Sequence, residues 1–204
     1  MTRDLPAIFA CLRKLFDKQL MPWLNGTKKQ EIDLLVAKSV ISDRFCGSIS
    51  GPIIRNEHEK RQLGVISAFL NKKGYSERNT FQELSTMPHG TYCFGREVPV
   101  FKNAADSSDG YVKMPIDVLI MPQNPKSKRP VFVECKSAGD FANTNKRRKE
   151  EDTKVTQLRA TYGNITLYLF LCGYFDATYL GYEAANHMDW VWEHRVKDFE
   201  EIGI

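Results

Sequence analysis

The sequence predicts an α/β domain built around a mixed central sheet, and three features of its hydrophobic pattern support this. Helical periodicity fills most of the first 73 residues, and short β-prone runs follow between residues 91 and 137. The helical period returns over residues 143–162, directly before an apolar run at residues 165–172. A helix usually connects parallel strands, and a continuous apolar run is typical of a strand buried on both faces. The predicted order is therefore helices, a strand meander, a crossover helix and a buried strand.

The composition is that of an ordinary folded protein. Of the 204 residues, 42% are hydrophobic and 26% are charged, which excludes collagen-like and disordered classes and suits one domain with or without an appendage. The longest apolar run is less than half of a bilayer span, and no signal-peptide pattern begins the sequence. The five cysteines lie 35 to 47 residues apart without a Cys-x-x-Cys pair, so we expect free thiols in a reducing, intracellular compartment.

The N-terminal part of the chain has the pattern of packing helices. Residues 5–20 and 29–45 carry apolar side chains at helical spacing, and we predict a helical region over residues 1–53 that serves packing or dimerisation. A further helix is predicted over residues 54–73, because its apolar stripe ends just before Gly74, a natural C-terminal stop.

Residues 54–204 are predicted to form the main domain. The last two β-prone runs are joined by a short polar loop, so they most simply pair as an antiparallel hairpin. After the buried strand we expect a helix near residues 178–186 and an aromatic segment at residues 189–194. The β-prone runs before the crossover helix cover residues 91–94, 98–101, 112–121 and 130–137.

Three ionic residues on the predicted hairpin carry the candidate chemistry. Glu134 and Lys136 lie two positions apart in an otherwise apolar strand, so they share one face. Burying such ions is costly unless something compensates, and the hairpin can bring Asp117 alongside Glu134. Two convergent carboxylates suit Mg²⁺, with the carbonyl of Cys135 as a further oxygen ligand. A lysine beside such a metal can orient or help deprotonate a bound water.

These residues resemble the signature of the PD-(D/E)xK nuclease superfamily, which is an acid on one strand of a hairpin and Glu-x-Lys on the next. Here the pattern is Pro-Ile-Asp at residues 115–117, sixteen further residues, and Glu-Cys-Lys at residues 134–136. Residues 134–141, 143–151 and 189–195 also resemble the XamI group of type II restriction endonucleases. The resemblance implies a restriction-endonuclease-like αβββαβ core with a mixed central sheet, extra N-terminal helices and a C-terminal aromatic segment.

The resemblance implies Mg²⁺-dependent hydrolysis of both strands of duplex DNA at a short specific, palindromic sequence. Asp117, Glu134 and the carbonyl of Cys135 would bind one or two Mg²⁺ ions, and Lys136 would handle the attacking water. Superfamily members often add a carboxylate from the helix before the sheet. Glu59 is the candidate, because it lies on the apolar stripe of the predicted helix, and the alternative is a solvated acid at a helix start.

A basic run opens the predicted crossover helix, where a duplex held at the metal would pass. Residues 126–154 hold nine Lys and Arg against five acids, although the net charge of the chain is only +4, so nucleic acid is the first candidate partner. We interpret the run as phosphate contacts, with one Arg reading a guanine edge, and the alternative is a solvated helix face. An Asn before the run either bonds adenine or caps the helix. The predicted DNA-contacting residues are Asn145, Lys146, Arg147, Arg148 and Lys149.

The implied partners follow from the implied reaction. Cleavage of both strands at a palindrome needs two sites related by a dyad, so we expect a homodimer. We also expect a cytoplasmic protein of a bacterium or archaeon, without membrane attachment, and a cognate DNA methyltransferase that forms no stable complex with it. Two alternatives stay open: a structure-specific DNA repair or junction-resolving nuclease on the same core, and a DNA-binding module without catalysis. The sequence has no phosphate-cradling Gly-rich loop or dinucleotide fingerprint, which excludes ATP-driven and NAD-dependent classes.

Overall fold

The structure is a computed structural model that divides into two compact units, residues 1–54 and residues 55–204. No helix among the described residues is long and apolar enough to cross a membrane. The predicted helix over residues 5–20 lies almost entirely outside the described residues. The structure describes residues 30–81, 83–124, 126, 128–137 and 144–204, together with a few isolated positions before residue 30. In the range 144–204, side chains are described from residue 149 onward.

The first helix, α1, spans Glu31–Lys72. The prediction of two separate helices over residues 29–45 and 54–73 is wrong, because the chain stays helical through the Gly-, Ser- and Pro-containing segment between them. In that segment the hydroxyls of Ser48 and Ser50 donate to backbone carbonyls three residues earlier, at 2.7 and 3.3 Å. Since these hydroxyls bond within the helix instead of initiating a turn, the segment does not end α1.

The part of α1 that belongs to the first unit exposes large apolar side chains. They recur at helical spacing, and each exposes between 45% and 64% of its surface. An exposed apolar stripe of this kind is typical of a surface that packs against another protein element. The stripe consists of Ile32, Leu35, Ile41, Phe45, Ile49 and Ile53.

Six strands of the second unit form one mixed sheet. They are β1 (Ser76–Glu77), β2 (Thr91–Asn103), β3 (Asp106–Met121), β4 (Val131–Ser137), β5 (Leu167–Cys172) and β6 (Asp189–Trp192), and they lie side by side in that order. β2, β3 and β4 are antiparallel neighbours, whereas β1 is parallel to β2, and β4, β5 and β6 are parallel. Helix α2 (Thr144–Tyr162) connects β4 to β5 and helix α3 (Ala177–Ala185) connects β5 to β6, as parallel pairs require.

The sheet separates two buried apolar layers. On one side, which we call the α1 face, Ile66 and Leu70 of α1 join a cluster with Phe170 of the sheet. On the other side, the α2 face, Val155 and Leu158 of α2 join a second cluster. β4 and β5 lie between these layers, which explains why β5 and the first three residues of β4 are apolar on both faces.

The predicted α/β class is confirmed. α1, β2, β3, β4, α2 and β5 follow one another in the expected αβββαβ order, and β3 and β4 form the predicted antiparallel hairpin. β2 is one continuous strand where two runs were predicted, because Gly95 adopts a φ of +58° and lets the strand pass through an irregularity without ending. The predicted aromatic segment contributes β6 and is followed by a 3₁₀ segment, Glu193–Ile202.

Candidate active site

The β3–β4 hairpin opens where the predicted catalytic residues lie. Backbone pairing between the two strands ends at Val118 and Val133. Beyond that pair, the N–H of Cys135 donates to Oδ2 of Asp117 at 2.8 Å. A side-chain carboxylate thus accepts the bond that a backbone carbonyl would accept in a longer ladder, and this bond fixes Asp117 beside β4.

Asp117 also lies where the side chains of β3 stop alternating regularly between the two faces. Ile116 and Leu119 belong to the same buried cluster, although residues three apart in a regular strand face opposite sides. On β2, the glycine at position 95, with its left-handed backbone, lies between the residues paired with Ile116 and Val118. The irregularity accounts for an Asp117 carboxylate that lies between β3 and β4 instead of within an apolar layer.

Glu134 is a buried carboxylate with two ammonium partners. Only 3% of the residue is exposed. Its Oε1 accepts a hydrogen bond from Nζ of Lys154 at 2.7 Å, and its Oε2 lies 3.7 Å from Nζ of Lys136. Burial and the charge of Asp117 raise the pKa of Glu134, while the two lysines oppose that rise. A carboxylate removed from water in this way interacts strongly with any cation that reaches it.

Lys136 lies between two buried carboxylates. Its Nζ is 3.7 Å from Oε2 of Glu134 and 3.2 Å from Oε1 of Glu151 on α2. Burial lowers the pKa of Lys136, but Glu134, Glu151 and Asp117 together raise it above the ordinary value, so the side chain is a cation at neutral pH. The hydroxyl of Tyr179 donates to the other oxygen of Glu151 at 2.9 Å, so the partner of Lys136 is itself oriented.

Two residues of this cluster, Glu151 and Lys154, escaped sequence analysis. Both lie in a charged stretch of α2 that has the composition of a solvated helix face. A signal was present, since Glu151 precedes Val155 by four residues and Lys154 precedes Leu158 by four. Positions four apart lie on the same face of a helix, and both apolar partners are buried. Lys154 also donates to the carbonyl of Pro115 at 2.7 Å, so it links α2 to both strands of the hairpin.

A third unpredicted residue, Gln62 of α1, fixes the end of β4 from the opposite face. The residue is 1% exposed, and its Nε2 donates to the carbonyls of Lys136 at 3.2 Å and Phe170 at 2.8 Å. Because a buried amide that bonds two adjacent strands restricts both, Gln62 fixes the backbone from which the Lys136 side chain extends.

The other predicted metal ligands lie near the same strand end. Cys135 packs on the α1 face, where burial and the charges of Asp117, Glu134 and Glu59 raise the pKa of its thiol. Glu59 itself is exposed to solvent. The role of Glu59 as a metal ligand stays a prediction.

The oxygen donors of the site fit a hard divalent cation. Asp117 and Glu134 provide carboxylate oxygens at the point where the hairpin strands separate. Within the described ranges, no three His, Cys, Asp or Glu side chains converge to hold a metal by themselves. Mg²⁺ does not need such a cage, because it is usually bound by one or two carboxylates together with water and substrate phosphate. The arrangement therefore suits a metal shared between the protein and a phosphodiester.

The predicted DNA-contacting residues lie at the start of α2. The backbone of Asn145, Lys146, Arg147 and Arg148 is helical, and their side chains lie outside the described residues. Lys149 is exposed. The interpretation of this run as a DNA contact stays a prediction.

Comparison with known proteins identifies the family. The type II restriction enzyme SalI of Streptomyces albus G is 47% identical over 199 residues, which are 95% of this chain and 61% of the relative. The chain thus spans less than two thirds of the length of that relative. No solved structure matches the chain. The sequence profile of the XamI restriction endonuclease family matches residues 1–192, more than nine tenths of the sequence, and the chain therefore belongs to that family.

Proposed function

We propose that the chain is a type II restriction endonuclease that hydrolyses both strands of duplex DNA at a short specific sequence. The observation that carries the proposal is the convergence of Asp117, Glu134 and Lys136 at the opening of the β3–β4 hairpin, in a member of a restriction endonuclease family. The relative SalI is named a type II restriction enzyme. The site also has the fold context of the PD-(D/E)xK superfamily, since the acid and the Glu-x-Lys strand precede a crossover helix.

Each residue of the site has a proposed role. Asp117, Glu134 and the Cys135 carbonyl would hold one or two Mg²⁺ ions, with Glu59 as a further candidate ligand. A bound ion would polarise the scissile phosphate and lower the pKa of a water molecule. Lys136, a cation held between carboxylates, would orient the attacking water and offset the negative charge that develops on the phosphate.

The proposed partners are duplex DNA and a second copy of the chain. The basic run at residues 145–149 would contact the DNA backbone, because phosphate neutralisation by Lys and Arg supplies much of the affinity for DNA. The exposed apolar stripe of α1 is the candidate dimer interface and would give residues 1–53 their role. A cognate methyltransferase and a cytoplasmic location in a bacterium or archaeon remain predictions.

Incubation of the purified protein with long duplex DNA and Mg²⁺ tests the proposal. We expect discrete, reproducible fragments, and none when EDTA is in excess. Cleavage confined to branched or damaged DNA would instead favour the repair or junction-resolving alternative. Specific binding without cleavage would favour the non-catalytic module.

Single substitutions test the assigned residues. Asp117→Asn, Glu134→Gln and Lys136→Ala should each lower the cleavage rate on the order of 10²–10⁴-fold while specific DNA binding persists. The matched control is Lys113→Ala, which removes a β3 lysine whose side chain is 79% exposed, and it should cut at the parental rate. A site variant that cuts as fast as the parent would exclude that residue from catalysis.

A further inference from the structure

We infer that Lys154 is a built-in counter-cation of the proposed metal site, which competes with a divalent ion for Glu134 and is displaced when the ion binds there. The inference rests on the proposed metal-binding role of Glu134. It assigns a function to a residue of α2 that lies outside the Asp and Glu-x-Lys pattern, and it predicts that Lys154 sets how tightly the protein binds metal without DNA.

The contacts of Lys154 place its ammonium where a cation is attracted most strongly. Its Nζ lies 2.7 Å from Oε1 of Glu134 and 2.7 Å from the carbonyl oxygen of Pro115. A buried carboxylate oxygen and a backbone carbonyl oxygen are also the kinds of ligand that a hard divalent ion takes. The Lys154 ammonium thus occupies an oxygen-lined position that a metal would compete for.

A metal ion and the Lys154 ammonium would compete for Oε1 of Glu134. Metal–oxygen bonds of Mg²⁺ are about 2.1 Å long, so an ion on Oε1 would lie close to Nζ of Lys154. Glu134 is only 3% exposed, and solvent screens little of the resulting repulsion in such a place. Withdrawal of the Lys154 side chain would relieve this repulsion, so we expect it to accompany coordination through Oε1.

Lys154 is a better candidate for displacement than Lys136. Lys136 has a second carboxylate partner, Glu151, 3.2 Å away, and it lies 3.7 Å from Glu134. Among the described residues, the other hydrogen-bond partner of Lys154 is the neutral carbonyl of Pro115, and the Lys154 side chain keeps 19% of its surface exposed, so it has a path toward solvent. Withdrawal of Lys154 breaks one ion pair, with Glu134. Withdrawal of Lys136 would break two ion pairs, with the buried carboxylates of Glu134 and Glu151.

Titration of Mn²⁺ into the DNA-free protein by calorimetry tests the inference. Lys154→Met keeps the length of the side chain but removes the charge, and we expect it to bind Mn²⁺ about tenfold more tightly than the parent. Lys154→Arg keeps the charge and should bind Mn²⁺ as weakly as the parent. Lys113→Ala removes an exposed positive charge from β3 and controls for the change in net charge.

A second measurement uses the parent chain and does not depend on the folding of a variant. In protein with ¹³C-labelled lysine, the ε-methylene signal of Lys154, assigned by its loss in Lys154→Arg, should shift as Mg²⁺ is added. The shift should follow the same binding curve as calorimetry. A Lys154 signal that stays fixed while Mg²⁺ binds through Glu134 would overturn the inference.

The variant Glu134→Gln separates failure of the inference from failure of the proposed function. If Glu134→Gln binds Mn²⁺ as well as the parent does, Glu134 is not a metal ligand, and both ideas fail. If Glu134→Gln abolishes binding and Lys154→Met leaves the affinity unchanged, only the role of Lys154 fails. If neither the parent nor Lys154→Met binds Mn²⁺, the inference is also overturned, because removal of the competing charge should make binding measurable.

Discussion

The two faces of strand β4 carry very different buried side chains. On the α1 face, Val133 and Cys135 adjoin a cluster of apolar side chains, and burial of apolar surface stabilises the fold by about 25 cal/mol per Å². On the α2 face, Glu134 and Lys136 meet further ionic groups, and buried ions are costly unless each one is paired. The comparison teaches that one strand can be fixed from one side and carry its candidate catalytic groups on the other. The ionic cluster of the α2 face comprises Glu134, Lys136, Glu151 and Lys154.

The largest effect is expected from the α2 face, where Glu151→Gln would remove the charge that holds Lys136. The substitution preserves shape, so we expect the cleavage rate to fall about 10²-fold through kcat, with DNA affinity retained. Glu151→Asp should restore part of the rate. Single-turnover cleavage with saturating enzyme measures the effect, and the exposed neighbour provides the control Glu150→Gln. Parental cleavage by Glu151→Gln would show that Lys136 does not depend on this ion pair.

On the α1 face, Ile66→Val removes one methyl group from a residue that is 0% exposed. We expect a loss of about 0.5–1.5 kcal/mol of unfolding free energy and a fall in melting temperature of about 1–6 °C. Thermal melting followed by circular dichroism measures the change. The cleavage rate at a temperature where the protein is fully folded should match that of the parent. A variant that is stable but cuts slowly would contradict the separation of the two faces.

The variant Lys149→Ala tests whether the exposed start of α2 contacts DNA. If this exposed lysine contacts a phosphate, the slope of log binding constant against log salt concentration should become shallower by about one. Fluorescence anisotropy with a labelled duplex at several salt concentrations measures the slope. The exposed Lys60 of α1 offers the control Lys60→Ala, for which the slope should be unchanged. An unchanged slope for Lys149→Ala would assign Lys149 to the solvated side of the helix.

A further comparison, confined to alkaline pH, concerns Cys93 in the apolar part of the α2 face. Burial raises the pKa of the Cys93 thiol to about 11 from an ordinary 9.0. Because the folded chain favours the neutral thiol, this contribution to stability is complete below pH 9.0 and is lost as the pH rises through about 11. Urea unfolding at pH 8 and pH 10.5 should therefore show a steeper decline for the parent than for Cys93→Ala. Equal declines would mean that Cys93 is not desolvated.

Sequence pattern predicted the hairpin and the crossover because local periodicity sets both. The β3–β4 pairing follows from two β-prone runs and a short polar loop, and α2 with β5 follows from a change of period. Glu151 and Lys154 were missed because charged residues at consecutive helix positions are usually solvated. Their burial depends on what packs opposite them, and one sequence does not contain that information directly. The local signal for their burial is that Glu151 and Lys154 lie four residues before the apolar Val155 and Leu158.

The continuity of α1 was missed for a related reason. Glycine, serine and proline between residues 47 and 52 usually mark a turn. Their effect depends on where the serine hydroxyls bond, and here Ser48 and Ser50 bond back to the helix itself. Local composition gives the possible partners of such hydroxyls, and the surrounding fold selects among them.

The bond between the Cys135 N–H and Asp117 makes the candidate catalytic cluster depend on the alignment of two strands. A slip of one residue between β3 and β4 would present Ile116 or Val118 to that N–H. Asp117 would then leave the cluster, although the sequence would still contain it. A single residue added after Asp117 should therefore inactivate the protein, whereas we expect a residue added between residues 122 and 130, outside the paired positions, to be tolerated.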